Sequence, residues 1–134
     1  MGVRLSVALS RNILGYCGDA SLLHEDAAAA AQEVLLLGIG HPSLRDEIYA
    51  QLLRQFAGNP REESRGRVRE LLRLCAGCFS PSDDMENMVE MFVREHGDRD
   101  TLVALHKTAF VGPRERPPTA QEVTRAVGRY LDAV

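Results

Sequence analysis

Between His41 and Ser82 apolar residues recur every three or four positions, with one polar interruption. Leu44, Ile48, Tyr49, Leu52, Leu53 and Phe56 fall on one broad face, as a helix packed on one side requires. Pro42 suits the first turn of that helix, where a missing N–H costs nothing. Asp46 and Glu47 place negative charge near its positive pole. Gly58-Asn59-Pro60 stops it, because proline pushes the preceding residue out of the helical region. A second helix is predicted from about Glu63 to Cys75 and beyond. Its stripe is Val68, Leu71, Leu72 and Cys75, at i, i+3, i+4 and i+7, widened by Leu74. Arg65, Arg69 and Arg73 fall on a different strip. The helix is expected to end near Gly77, with Phe79 returning to the core and Ser82 capping the next helix.

The rest of the chain reads the same way. Val3 to Leu14 carries apolar residues punctuated by Gly15 and Gly18-Asp19, and is read as a helix, although its first half alternates as a strand would. A helix from about Glu25 to Leu37 is built on the alanine run 27–31, with Gly38 or Gly40 as its cap. Another, from about Asp83 to Glu95, has the stripe Met85, Met88, Val89 and Phe92 and the stop Gly97. Asp98 or Asp100 opens the next, with Leu102, Leu105, Ala109 and Phe110 expected inward and Gly112-Pro113 as its end. Arg114 to Pro118 is an expected exposed, extended linker. Thr119 and Glu122 have capping-box spacing for a last helix carrying Val123, Ala126, Val127, Tyr130 and Leu131. No alternating pattern survives after residue 15. The expectation is an all-α, compact bundle of about six or seven helices, a single domain over residues 1–134.

Composition narrows the class. The 134 residues suffice for one core, and 45% hydrophobic with 26% charged content is ordinary for a globular domain. A net charge of −3 argues against a nucleic-acid binder by bulk electrostatics. No apolar run approaches the ~18 residues of a membrane span. Ser10, Arg11 and Asn12 interrupt the N-terminal apolar run, which argues against a secretory signal. Met1-Gly2 with Ser6 fits the short myristoylation pattern only superficially. Three cysteines, an odd number, point to free thiols in an intracellular setting.

Catalytic chemistry finds little support. Cys75 and Cys78 form a C-x-x-C, but no second pair accompanies it, and Cys17, His24, His41, His96 and His106 are scattered. The expectation is therefore no metal and no cofactor. Asp46 and Glu47 would suit acid–base work only beside a nucleophile, a histidine or a phosphate-binding loop. The structural alternative is a partly buried network of Arg45, Asp46 and Glu47, with Gln51 and Gln55, that fixes how helices meet. The densest charge feature is Arg54, Arg61, Arg65, Arg67, Arg69 and Arg73. It reads either as a docking strip for an acidic partner or as a helix face neutralised by Glu62, Glu63 and Glu70.

HPSLRDEIYAQLLRQ, then Asn59-Pro60, Ser64, Arg67 and ELLRLCAGCFSPS, resembles the myosin tail homology 4 domain. ILGYCGD at 13–19 and GPRERPP at 112–118 are similar to its early turn and its C-terminal signature, so the likeness covers about residues 5–125. The resemblance implies an all-helical, non-enzymatic module of unconventional myosin tails, some kinesins and some Rho GTPase-activating proteins. Such modules often precede a FERM domain and bind cargo or microtubules with it. It further implies that Arg45, Asp46, Glu47, Tyr49, Gln51 and Gln55 belong to the fold-defining core. The arginines from 54 to 73 would be the local equivalent of a tubulin-binding surface, in a cytoplasmic, cytoskeleton-associated protein. A cargo or adaptor protein is the other partner expected. Two departures stand out: Arg69 occupies a position where the family usually has tryptophan, and the N-terminal region is shorter. The chain is expected to be an isolated module or one piece of a longer protein with an adjacent FERM, motor or GTPase-activating domain.

Overall fold

The computed structural model describes residues 24–119, Leu9, Asn12, Ile13, Tyr16, residues 121–123 and Arg125. The regular structure among the described residues is helical, with no strand among them. Helix α1 spans His24–Gly40, a 3₁₀ turn at Pro42–Leu44 leads into α2 at Arg45–Ala57, and α3 follows at Glu62–Cys78. α4 spans Asp83–His96 and α5 Arg99–Val111. The described residues at 9, 12, 13 and 16, and at 121–123 and 125, are helical too. The remainder of the helices expected over 3–14 and after Thr119, and Cys17, lie outside the described residues.

α3 is the central element and packs against α1, α2 and α5. Its buried set includes Val68, Leu71, Leu72, Cys75 and Ala76, more than one stripe, because it has neighbours on several sides. Around it close Ala31, Val34 and Leu35 of α1, Ile48, Tyr49 and Leu52 of α2, and Val89 and Val93 of α4. Burying a side chain of this size contributes about 1.5–3 kcal/mol. Phe79 is fully buried just past the end of α3.

Three local expectations change. α1 runs through Gly38 to Gly40. Gly38 is there for close packing, since a Cβ would overlap the Phe79 ring. Ser82 stands at the N-cap of α4, yet its hydroxyl makes no cap bond; it donates to Asp46 instead, at 2.6 Å. Met88 and Phe110, expected inward, are 58% and 93% exposed. α4 turns Val89 and Val93 inward, and α5 turns Thr101, Leu105 and Thr108 inward. Five residues beyond Leu105, at ~100° each, place Phe110 on the far side.

After α5, Gly112 adopts φ 102°, the left-handed region that suits glycine. The following strap folds back over the core. The Arg114 N–H donates to the Cys78 carbonyl at 2.8 Å, and Gln32 Nε2 donates to the Pro118 carbonyl at 3.4 Å. Pro118, expected in an exposed linker, is buried. The capping box forms as its spacing predicts: Glu122 N–H donates to Thr119 Oγ1 at 3.2 Å, and Thr119 N–H to Glu122 Oε1 at 3.4 Å.

Candidate partner-binding surface

The six arginines do not form one strip. Arg67 shares a face with Leu71, Cys75 and Cys78, at steps of four, four and three, and is only 8% exposed. Its Nη1 donates to the Tyr16 carbonyl at 3.3 Å. It belongs to the interior and is absent from the outer surface. Arg73 is half-buried and faces Glu70 and the start of α5. Burial raises the Glu70 carboxyl, against the positive charge of Arg73 and with the negative charge of Asp98. Glu70 Oε1 is buried without a hydrogen-bond partner. Burial also pushes Asp98 upward, but hydrogen bonds from the Thr101 hydroxyl and N–H, with Arg73 nearby, hold it below its ordinary value. Both Thr101 bonds measure 2.7 Å, so Asp98 is the N-cap of α5.

Arg65 and Arg69 converge. Arg65 Nη2 meets Glu62 Oε2 at 2.7 Å, and Arg69 Nη1 meets Glu62 Oε1 at 3.0 Å. Hydrogen bonds from Arg65 first, then Arg69, hold the Glu62 carboxyl below its ordinary range. Both guanidiniums lie over the Phe56 ring, 5.9 and 5.3 Å from its centroid. Phe56 in turn packs edge-on against Phe92 at 4.9 Å and against His96 at 4.9 Å. Arg69 Nε donates to the His96 carbonyl at 2.9 Å, one of the last carbonyls of α4, which lack partners within the helix. Arg69 thereby joins α2, α3 and α4. The aromatic cluster was legible only as the separate residues Phe56, Phe92 and His96; the Glu62-x-x-Arg65 spacing was the sequence signal for the ion pairs.

Arg54 and Arg61 flank the α2–α3 turn and point outward. Arg54 is 67% exposed at the side chain and reaches Glu47 Oε1 at 3.3 Å. The exposed Arg61 begins α3, its N–H bonded to Asn59 Oδ1 at 3.1 Å. Of the six arginines, Arg54 and Arg61 are exposed and Arg65 and Arg69 half-buried, with Glu47 and Glu62 paired to three of these four.

The opposite end of α2 holds the other candidate group. Arg45 Nε and Nη2 donate to the carbonyls of Gly38 and Ile39 at 2.8 and 3.1 Å, closing the C-terminus of α1. Asp46 Oδ1 accepts from the Ser82 N–H at 2.7 Å, and its Oδ2 from the Ser82 hydroxyl. Tyr49 Oη donates to the Phe79 carbonyl at 2.6 Å. Burial raises the Tyr49 phenol well above its ordinary value, so it stays a donor. Glu47 Oε1 accepts from Gln51 at 3.0 Å, and Gln55 is half-buried further along the helix. Cys75 and Cys78 are buried thiols outside any disulfide. Burial pushes Cys78 up to about 11, away from nucleophilic use. Among the described residues, no group of three or more His, Cys, Asp or Glu is placed to hold a metal. No described helix is long and apolar enough to cross a membrane.

Known proteins share this sequence and architecture. The high molecular weight form of myosin-1 from Acanthamoeba castellanii is 32% identical over 127 residues, 94% of this chain. Unconventional myosin-VIIb from Mus musculus is 32% identical over 119 residues, 85% of this chain. The chain spans only 8% and 6% of those two relatives. The human Myosin 7b C-terminal MyTH4-FERM domain, solved in complex with a harmonin-a PDZ3 domain, superposes with a TM-score of 0.82 at 26% identity. That match covers 95% of this chain and 27% of the solved one. The Dictyostelium discoideum myosin VII MyTH4-FERM domain shares the fold, with a TM-score of 0.79 at 21% identity, over 94% of this chain and 28% of its own. The sequence model of the MyTH4 domain matches residues 31–125. The chain belongs to the MyTH4, or myosin tail homology 4, domain family.

Proposed function

We propose that this chain is a non-enzymatic, cytoskeleton-associated tail module of the cytoplasm that docks on an acidic protein surface, microtubules being the specific candidate. The docking edge is Arg54, Arg61, Arg65 and Arg69. The observation that carries the reading is the outward position of Arg54 and Arg61 on either side of one turn. Beside them Arg65 presents a guanidinium held over a ring and preorganised for carboxylates. Arg67 and Arg73 are left out, the first by burial and the second by its place against Glu70 and Asp98. An exposed charge pair is worth about 0.2–1 kcal/mol, so useful affinity needs several contacts or a second module on the same chain.

A second reading rests on Glu62. One carboxylate already engages both Arg65 and Arg69, so the edge is largely neutralised from within. A cargo or adaptor protein, bound by shape and apolar contact, then becomes the partner. The myosin 7b relative, solved with a PDZ domain, lends this reading support.

Co-sedimentation with polymerised microtubules separates the two. Wild type is compared with Arg54→Glu/Arg61→Glu/Arg65→Glu at low and moderate salt. Binding that falls with salt and disappears in the triple variant supports the electrostatic reading. Wild type that stays in the supernatant at low salt removes it and leaves the protein-cargo reading.

A further inference from the structure

The far end of the molecule carries an apolar feature that the arginine edge does not use. Ala109, Phe110 and Val111, the last three residues of α5, are all exposed, Phe110 at 93% and Val111 at 71%. Three consecutive exposed apolar residues, one an almost fully solvated aromatic, are costly in water and mark contact surfaces. Beside them lies a cavity of about 400 Å³, lined by Ala109, Gly112, Ser80, Asp46, Asp83 and Glu86 among others.

Carboxylates outnumber cations in its lining: Asp46, Asp83 and Glu86 against Arg45, which is turned to the Gly38 and Ile39 carbonyls. Asp46 is bonded through both oxygens to Ser82, so Asp83 and Glu86 are the carboxylates left for a ligand. The C-terminal turn of α5 adds its negative pole and carbonyls without intrahelical partners. Ser80 Oγ, in the same wall, is buried with no hydrogen-bond partner.

We infer that this end is a second docking surface, and that its occupant is a basic, apolar segment of a partner protein. A lysine or arginine enters the carboxylate-lined cavity while adjacent apolar side chains cover Phe110 and Val111. Charge complementarity selects this occupant. An acidic or neutral segment would leave Asp83 and Glu86 unmatched, and a purely apolar one would desolvate them without a partner. The surface is opposite in charge and position to the arginine edge, so the two can be occupied together.

Fluorescence anisotropy on the full chain tests this with two labelled probes, a 14-residue helical peptide of leucine, alanine and arginine and the same peptide with glutamate for arginine. The arginine peptide is expected to bind, and Phe110→Asp and Asp83→Asn/Glu86→Gln should each weaken it at least tenfold. Asp83→Lys/Glu86→Lys should transfer preference to the glutamate peptide. All three variants change exposed or half-buried residues, and helical circular dichroism checks that each remains folded. Equal binding of both peptides by wild type, or arginine-peptide binding unchanged by Phe110→Asp in the folded protein, overturns the proposal. Concentration-dependent self-association by sedimentation velocity that Phe110→Asp abolishes also overturns it, because the occupant is then a second copy.

Discussion

The two ends of α2 mix backbone bonds and ring contacts in different proportions. At its N-terminus, side chains reach backbone groups across the fold: Arg45 to the end of α1, Asp46 to the start of α4, and Tyr49 to the Phe79 carbonyl. Each bond satisfies a group that a helix end or buried turn leaves orphaned, so each has one acceptable geometry. At its C-terminus, Phe56, Phe92, His96 and the flat guanidiniums of Arg65 and Arg69 meet edge-on and at a tilt. Such ring contacts tolerate rotation and sliding. The first end sets how the helices meet; the second leaves charged side chains at the surface, able to shift toward a ligand.

The contrast breaks first at Phe79. Phe79→Ala removes the ring that fills the gap over Gly38, and should cost about 3–5 kcal/mol in denaturant unfolding. Gly38→Ala acts on the same contact from the other side. The Cβ overlaps the ring, and a loss of about 1–3 kcal/mol is expected. If Gly38→Ala is neutral, the N-terminal end is as yielding as the other and the distinction fails.

Arg69 sharpens the comparison. Arg69→Ala should cost about 1 kcal/mol, by losing the His96 carbonyl bond and the ring contact. Arg69→Trp should recover most of this, since an aromatic plane can lie on Phe56 and supply one N–H. A tryptophan variant less stable than the alanine variant would show that charge, not planarity, is what the site needs.

The smallest effect lies with Glu70. Its folded-state pKa is raised, so the protein binds that proton more tightly when folded. Its contribution is fully favourable below the unfolded pKa and is lost as pH rises through the folded value. Glu70→Gln should therefore raise the unfolding midpoint slightly at pH 7, with the difference from wild type vanishing in acid. Asp98 runs the other way. Its depressed pKa adds stability above its ordinary value, lost as pH falls through the folded one. Identical midpoints for wild type and Glu70→Gln across this range would mean that the carboxylate costs nothing where it lies.

The sequence pattern was sufficient for the helices, because three- and four-residue spacing, proline and glycine act locally. Pro42, Asn59-Pro60 and the Thr119–Glu122 box each mark a boundary that forms close by. The expectations that failed depended on where neighbours sit. Phe110 has the hydrophobicity of a core residue, yet α5 presents another strip inward. Ser82 has cap chemistry, yet Asp46, 36 positions away, takes its hydroxyl. Arg67 stood on an apolar stripe at i−4 from Leu71, a local signal that charge density among its neighbours obscured. The cavity at the other end is assembled from distant segments, so spacing along the chain does not reveal it.

The strap after Gly112 gives the protein a timing property. It joins Gln32 to Pro118 across 86 positions and lies bonded to Cys78, itself only 1% exposed. Closing so long a loop is entropically slow, so this contact belongs among the last to form and the first to open. A thiol reagent is therefore expected to modify Cys78 in proportion to the fraction of time the strap is lifted, so the extent of labelling at a fixed time reads how often that end of the domain opens.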